Sequence, residues 1–360
     1  MVMENKIREI LLSLRHPNYE KCLLKERNIK SVSVHEDKLE ISIELHFPIS
    51  LLKDEFKSLM SDALHDLTNL PIHINLNQKI KSHQAQKGIS LIKGVKNVIA
   101  VASGKGGVGK SSTAVNLALA LMNEGSKVGI LDADIYGPSQ PQMLGINKKP
   151  ESKDGKSMEP LIAHGLQVMS IGFLVDQETP MVWRGPMVTG TLEQLLKETN
   201  WDDLDYLIID LPPGTGDIQL TLAQKIPVTG AIIVTTPQDI ALLDARRGLK
   251  MFEKVNIPII GIVENMSTHI CSNCGHEEHI FGEGGGNKMS IDYNTMMLGN
   301  LPLDISIREQ LDNGIPSVAA DPKSKISKIY QSIAQKVAYK VSELTEDHSG
   351  KFPNIIIQNT

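Results

Sequence analysis

Aromatic residues and cysteine are scarce in this chain, and long hydrophobic runs are absent. Phenylalanine, tryptophan and tyrosine make up 4% of its 360 residues, so the core must rest on aliphatic packing, for which a hydrophobic content of 41% is ample. Three cysteines, Cys22, Cys271 and Cys274, are too few for a disulfide framework. They fit a reducing cytoplasm, and two of them form one CxxC, a spacing that points to metal or redox chemistry. No stretch of about 18 apolar residues occurs, so no membrane span is expected. The opening Met1-Val2-Met3-Glu4-Asn5-Lys6 lacks a signal-peptide core. A formal net charge of -5 argues against bulk nucleic-acid binding. Internal repeats and low-complexity tracts are absent too.

The length allows roughly two domains. Residues 1–77 read as a small α+β unit of order αββαβ. Ile7, Ile10, Leu11 and Leu14 share a helical face, and Leu39, Ile41, Ile43, Leu45 and Phe47 alternate as in a strand. Glu36-Asp37-Lys38 reads as a hairpin turn. Residues 78–96, rich in Lys, Gln and Gly, read as a linker. From 97 to 345 strands alternate with helices, at 98–102, 127–132, 205–211, 230–236, 258–264 and 296–301. Near-continuous apolar strands are those of a parallel sheet buried on both faces. The class is α/β, a doubly wound, mostly parallel sheet. An amphipathic helix is expected over about 323–344, docked on that core rather than on a membrane. Residues 346–360 read as a loose tail.

Ser103-Gly104-Lys105-Gly106-Gly107-Val108-Gly109-Lys110-Ser111-Ser112 fits G-x-x-x-x-G-K-[ST] between a buried strand and a helix. The glycines let the backbone turn tightly and aim its N–H groups inward, forming an anion nest at a helix N-terminus. Lys110 is placed to reach the β- and γ-phosphates and Ser111 to ligate Mg²⁺. The nucleotide-contacting candidates are therefore Gly104, Lys105, Gly106, Gly107, Val108, Gly109, Lys110, Ser111 and Ser112, and the fold is that of a P-loop NTPase. Leu204 to Asp210 is an apolar strand ending in an acid, the Walker-B pattern, which places Asp210 beside Mg²⁺. Pro212-Pro213-Gly214-Thr215-Gly216-Asp217 follows as a natural γ-phosphate switch. Asp132 and Asp134 sit at i and i+2 of an extended end and point to one side. Either can approach Mg²⁺ or the attacking water; the bland alternative is that Asp132 only caps a helix. No histidine lies in these motifs, so water activation falls to a carboxylate. Asn265 can pair with an adenine edge through its donor and its acceptor. Asn300 to Asp304 is a turn at the same end of the sheet, and on chemistry alone either spot can be an ordinary turn.

Cys271-Ser272-Asn273-Cys274-Gly275-His276-Glu277-Glu278-His279 admits several readings. A redox disulfide wants a thioredoxin-like helix start, which is missing. Zinc could take Cys271, Cys274, His276 and His279, though these histidines follow too closely for finger spacing. Two free thiols are a third option. A [4Fe–4S] cluster prefers four thiolates, and a two-fold dimer would supply two from each chain.

The loop form K-G-G-x-G-K-[ST] resembles the deviant loop of dimeric ATPases related to MinD, ParA and the nitrogenase iron protein. In that class the lysine at Lys105 crosses the dimer interface; spacing alone leaves it a solvated charge. The same comparison gives Asp134 a water-positioning role, puts Asp132 nearer the metal and sets Asn265 and Asn300–Asp304 around the base. Together SGKGGVGKSS, LDADIYGPS, Trp183-Arg184-Gly185-Pro186-Met187, IDLPPGTGD, VENM and CSNCGH resemble the Mrp family of ATPases, also called ApbC, over about residues 96–340. The resemblance implies a slow homodimeric ATPase that carries an iron–sulfur cluster between Cys271 and Cys274 of two subunits. It also implies apo iron–sulfur clients and upstream cluster assembly proteins as partners. The family's N-terminal module often carries a cysteine elsewhere. Here Phe47-Pro48-Ile49-Ser50 has none, and Cys22 reads as a small hydrophobe. A positioning ATPase of the ParA or MinD kind gives the CxxC no purpose. An electron donor like nitrogenase reductase wants its two ligand cysteines on separate loops.

Overall fold

The computed structural model describes residues 2–19, 22–86, 89–174, 185–271 and 273–347. Trp183, Arg184, Ser272 and the tail from 348 lie outside the described residues.

The N-terminal domain runs α1 (Val2–Ser13), β1 (Ile29–Val34), β2 (Leu39–Leu45), α2 (Lys53–Leu64), β3 (Ile72–Gln78). Strand β2 pairs antiparallel with β1 and parallel with β3, α2 making the crossover. The β1–β2 turn closes through the His35 N–H, which donates to the Lys38 carbonyl at 2.9 Å. Alternation sends Leu39, Ile41, Ile43 and Leu45 inward, where they are buried with Ile7, Leu11, Phe56 and Met60. Each such side chain contributes about 1.5–3 kcal/mol.

The second domain opens with β4 (Val95–Ala102), α3 (Lys110–Asn123), β5 (Val128–Asp132) and α4 (Gln140–Met143). There follow β6 (Leu161–Ala163), β7 (Leu166–Ser170), α5 (Gly185–Glu198), β8 (Leu204–Asp210), α6 (Asp217–Lys225) and β9 (Gly230–Thr235). Next come α7 (Asp239–Lys254), β10 (Ile259–Glu264), β11 (His269–Ile270), β12 (Glu277–Glu278), α8 (Gly285–Asp292) and β13 (Met297–Asn300). Helices α9 (Ile305–Asp312), α10 (Ser317–Ala320) and α11 (Lys325–Ser342) complete it. The eight-stranded sheet has the order β13-β10-β9-β4-β8-β5-β7-β6, parallel except for β6. Strands β8 and β9 are buried along their whole length, as two-sided parallel strands must be. The β6–β7 hairpin was not anticipated. Its turn uses His164 at φ 48° and Gly165 at φ 87°, the positive values that a tight hairpin requires.

Helix α11 docks on the core as its apolar face predicts. Ile333, Val337 and Val341 are fully buried, and a Cβ on Gly299 would lie 2.7 Å from Ile333 Cγ1, so only glycine lets the helix approach. Its other face meets the small domain. The Tyr339 ring packs on Tyr19 at 4.7 Å and Phe47 at 5.5 Å, and its hydroxyl donates to the Cys22 carbonyl at 3.2 Å. A polar relay crosses the same seam. Asn18 Nδ2 donates to Gln335 Oε1 at 2.6 Å, Gln335 Nε2 to Glu124 Oε1 at 2.5 Å, and the Leu51 N–H to Glu124 Oε2 at 3.2 Å. The segment read as a linker is pinned in part: His83 is fully buried against Asn97 at 2.9 Å, and the Gln84 N–H donates to the Thr345 carbonyl.

Candidate functional site

Five loops converge where the parallel strands β4, β5, β8, β10 and β13 end, the edge at which open α/β sheets hold ligands. The loop after β4 reaches α3 through Gly107 at φ 79° and Gly109 at φ 80°. Two further constraints are steric. A Cβ on Gly104 would lie 2.2 Å from the Asp244 carbonyl carbon, and one on Gly109 2.0 Å from Asn265 Nδ2. Gly106 and Gly107 are exposed, Val108 is buried, and Ser111 and Ser112 are half-buried. The segment after β8 leans on the same loop, for the Gly214 N–H donates to the Ser103 carbonyl at 2.9 Å. Lys105 is half-buried, and its ammonium has no partner among the described residues.

The charges concentrate on Lys110. Its ammonium is bound to Asp210, lies 3.2 Å from Ser111 Oγ and 3.9 Å from Asp134 Oδ2, and is 6% exposed. Burial holds the Asp134 carboxyl above the ordinary aspartate range against the pull of Lys110. Its Oδ1 is buried with no hydrogen-bond partner among the described residues. Asp132 takes the capping place that is the second reading for it, at the start of α4. It accepts from the N–H groups of Ser139, Gln140 and Asp134 at 3.0, 3.0 and 3.2 Å and from Ser170 Oγ at 3.1 Å. It is the brace of the loop that leads into α4, because four donors surround its two oxygens. Burial, then the neighbouring Asp210, push its carboxyl up to about 7.

Asn265 is also a brace. Its Nδ2 donates to the Val108 carbonyl at 2.9 Å and its Oδ1 accepts the Met266 N–H at 3.0 Å, which leaves one N–H and one lone pair of the amide for a base edge. It lines a cavity of about 250 Å³ beside the loop, with Gly109, Ser112, Met266, Leu303 and Tyr330. Asp304, from the second expected spot, caps α9 through the Ser306 N–H at 2.8 Å. Asn300 is exposed.

The cysteines occupy the turn of the β11–β12 hairpin. The Cys271 N–H donates to the His276 carbonyl, and the Gly275 N–H to the Cys271 carbonyl, both at 2.9 Å. Gly275 takes φ 72°. The N–H groups of Cys274 and Asn273, and the Cys274 thiol, bond to the Cys271 sulfur and hold its pKa below the ordinary thiol value. Cys274 is exposed and Cys271 half-buried. The histidines do not join them: His279 Nδ1 bonds the Ser267 carbonyl at 2.9 Å, and His276 Nε2 is 4.0 Å from Glu278. Among the described residues no three His, Cys, Asp or Glu side chains gather as metal ligands, so the four-residue zinc set is not assembled. The hairpin springs from Met266, a non-glycine residue at φ 57°. It is tied to the strand that ends beside the cavity, with the Leu303 N–H donating to the Thr268 carbonyl at 2.7 Å and the Ser267 N–H to the Leu301 carbonyl at 3.0 Å.

Sequence reasoning passed over Gln140. Its Nε2 donates to Asp210 Oδ2 at 2.9 Å and to the Ser111 carbonyl at 3.2 Å. Its place eight residues after Asp132, inside LDADIYGPSQ, was the available signal.

Residues 94–338 match the ParA-type family described as NUBPL iron-transfer P-loop NTPase. An iron-sulfur cluster carrier protein of Escherichia coli K12 is 54% identical over 330 residues, covering 91% of this chain and 89% of that relative. A nucleotide-binding protein of Archaeoglobus fulgidus, solved with ADP, is 38% identical with a TM-score of 0.54, over 61% of this chain and 87% of that one. The septum site-determining protein MinD of Pyrococcus horikoshii, solved with Mg-ADP, shares the fold at 24% identity and a TM-score of 0.51, over 67% and 95% of the two chains. No helix among the described residues is long and apolar enough to cross a membrane.

Proposed function

The chain belongs to the NUBPL iron-transfer P-loop NTPase family, and from that premise we propose that it carries iron–sulfur clusters to apo-proteins as an ATP-hydrolysing homodimer. One observation carries the reading: a two-cysteine turn, with N–H groups aimed at the Cys271 sulfur and no third ligand among the described residues, hangs from the wall of the cavity beside the phosphate loop. One chain offers two thiolates to a cargo that prefers four, so a second copy completes the site, as a [4Fe–4S] cluster shared at the two-fold axis. Upstream assembly proteins load it and cytoplasmic apo-proteins receive it.

At the phosphate loop, Lys110 exchanges its carboxylate partner for the β- and γ-phosphates, which compete for the same ammonium. The backbone of 104–109 and the start of α3 supply N–H donors, and Lys105 reaches the phosphates of the facing subunit. Ser111 and Asp210 meet at the Lys110 ammonium and are hard oxygen donors, the set that Mg²⁺ favours. Bound there, Mg²⁺ would neutralise charge on the phosphates. Asp134, raised by burial and with Oδ1 unpartnered, is suited to orient the attacking water and accept its proton. The Gly214 bond to the loop makes residues 212–217 the segment that registers the γ-phosphate.

Anaerobic reconstitution with iron and sulfide tests the proposal. The wild type should hold about one [4Fe–4S] cluster per dimer and pass it to an apo-acceptor. The double variant Cys271→Ser/Cys274→Ser should hold none; equal retention in that variant would refute the carrier reading.

A further inference from the structure

Gln140 stands between the two most buried acids of the site and is attached to both. Its backbone N–H donates to Asp132 Oδ2 at 3.0 Å, and its Nε2 donates to Asp210 Oδ2 at 2.9 Å and the Ser111 carbonyl at 3.2 Å. Asp132, Asp210 and Gln140 are all fully buried. The orientation of the amide is fixed by chemistry, because both groups facing Nε2 can only accept. The opposite end, Oε1, is therefore the free acceptor. It is buried and has no hydrogen-bond partner among the described residues. Buried polar atoms without a partner are rare, and one beside candidate ligands of a dication suggests a partner that arrives with the ligand.

Mg²⁺ keeps several of its waters when bound to protein and nucleotide. Those waters carry acidic hydrogens and need acceptors. Ser111 and Asp210, the candidate ligands, are the two residues that the Gln140 amide nitrogen touches. We propose that Gln140 is a positioning residue for Mg²⁺, orienting Asp210 through Nε2 and accepting from a Mg²⁺-bound water through Oε1. The inference rests on the nucleotide-site reading above. It adds a residue outside the phosphate loop and the Walker-B strand to the control of metal affinity.

The test is calorimetric titration with ADP, in EDTA and over a series of Mg²⁺ concentrations. Gln140→Met keeps the volume and removes both polar ends; Gln140→Leu is the second variant, and melting temperature checks folding. The expected result is an unchanged ADP affinity in EDTA, with the Mg²⁺ concentration giving half-maximal enhancement raised about 10- to 100-fold. A wild-type Mg²⁺ midpoint in the folded Met or Leu variant would overturn the proposal. So would a loss of ADP affinity that is equal with and without Mg²⁺, since that marks a purely structural residue. If the wild type itself binds no ADP, or binds it without regard to Mg²⁺, the nucleotide-site reading fails as well, and the two failures are told apart by the wild-type curve.

Discussion

The phosphate loop and the cysteine hairpin lie at the same edge of the sheet, and they are built in opposite ways. Lys110, Asp132 and Asp210 are buried, the two acids ringed by donors from the β5 loop, α4, β7 and Lys110 itself, and burial drives Asp132 and Asp134 toward their protonated forms. The hairpin is exposed and held by main-chain bonds, and its N–H groups draw the Cys271 thiol toward its charged form. The first arrangement buries fixed charged groups, which suits phosphates whose charge must be met in place. The second leaves its sulfurs accessible, which suits a cargo that is taken up, shared and given away.

The largest expected break between the two comes from Lys110→Ala. It removes a charged contact worth about 1.5–3 kcal/mol, a roughly 10- to 150-fold loss of ATP affinity by calorimetry. Reconstituted cluster content should be unchanged, and a parallel loss of cluster would show that the two sites are one. Asn265→Ala probes their shared wall with a smaller effect, on the order of 1 kcal/mol in ADP affinity, through the lost bond to Val108. In the wild type, ADP should slow iodoacetamide alkylation of Cys271, and the variant should lose much of that protection. Equal protection in both would show that Asn265 does not link loop and hairpin.

The smallest effect serves as a control for burial itself. Glu124 is fully buried at the domain seam, away from the phosphate loop, and its carboxyl is also raised by burial. A raised carboxyl stabilises the fold below its unfolded value of about 4.3, and that stability is lost as pH rises through the folded value. Thermal melts should therefore show wild-type stability falling, relative to Glu124→Gln, as pH is raised from about 4.3. A difference that is flat with pH would remove the shift.

The phosphate loop was legible because its glycines and lysine stand at fixed spacing between a buried strand and a helix, and Asp210 because it ends an apolar strand. The cysteine turn was legible from spacing. The capping role of Asp132 was readable from its place before α4, but those of Asn265 and Gln140 were not, because each depends on partners in other loops, 157 positions away for the Asn265–Val108 bond. The docking of the small domain was hidden for the same reason. Asn18 and Gln335, or Gln335 and Glu124, lie hundreds of positions apart, and polar pairs leave no periodic trace. Helix α11 showed one apolar stripe in sequence, while Tyr339 on its other side gave no sign of a second neighbour.

Helix α11 also has a consequence for how the molecule is made. It follows the large sheet in chain order, and it supplies one half of the seam to a domain that is synthesised well before it. A nascent chain can build the αββαβ unit and most of the large sheet before Gln335 and Tyr339 exist. Until they arrive, Tyr19, Phe47 and the carboxylate of Glu124 lack their partners on α11. Contacts of such long sequence separation form late. The joining of the two domains is therefore a closing event of folding, and a ribosome-bound chain truncated before α11 would expose that seam.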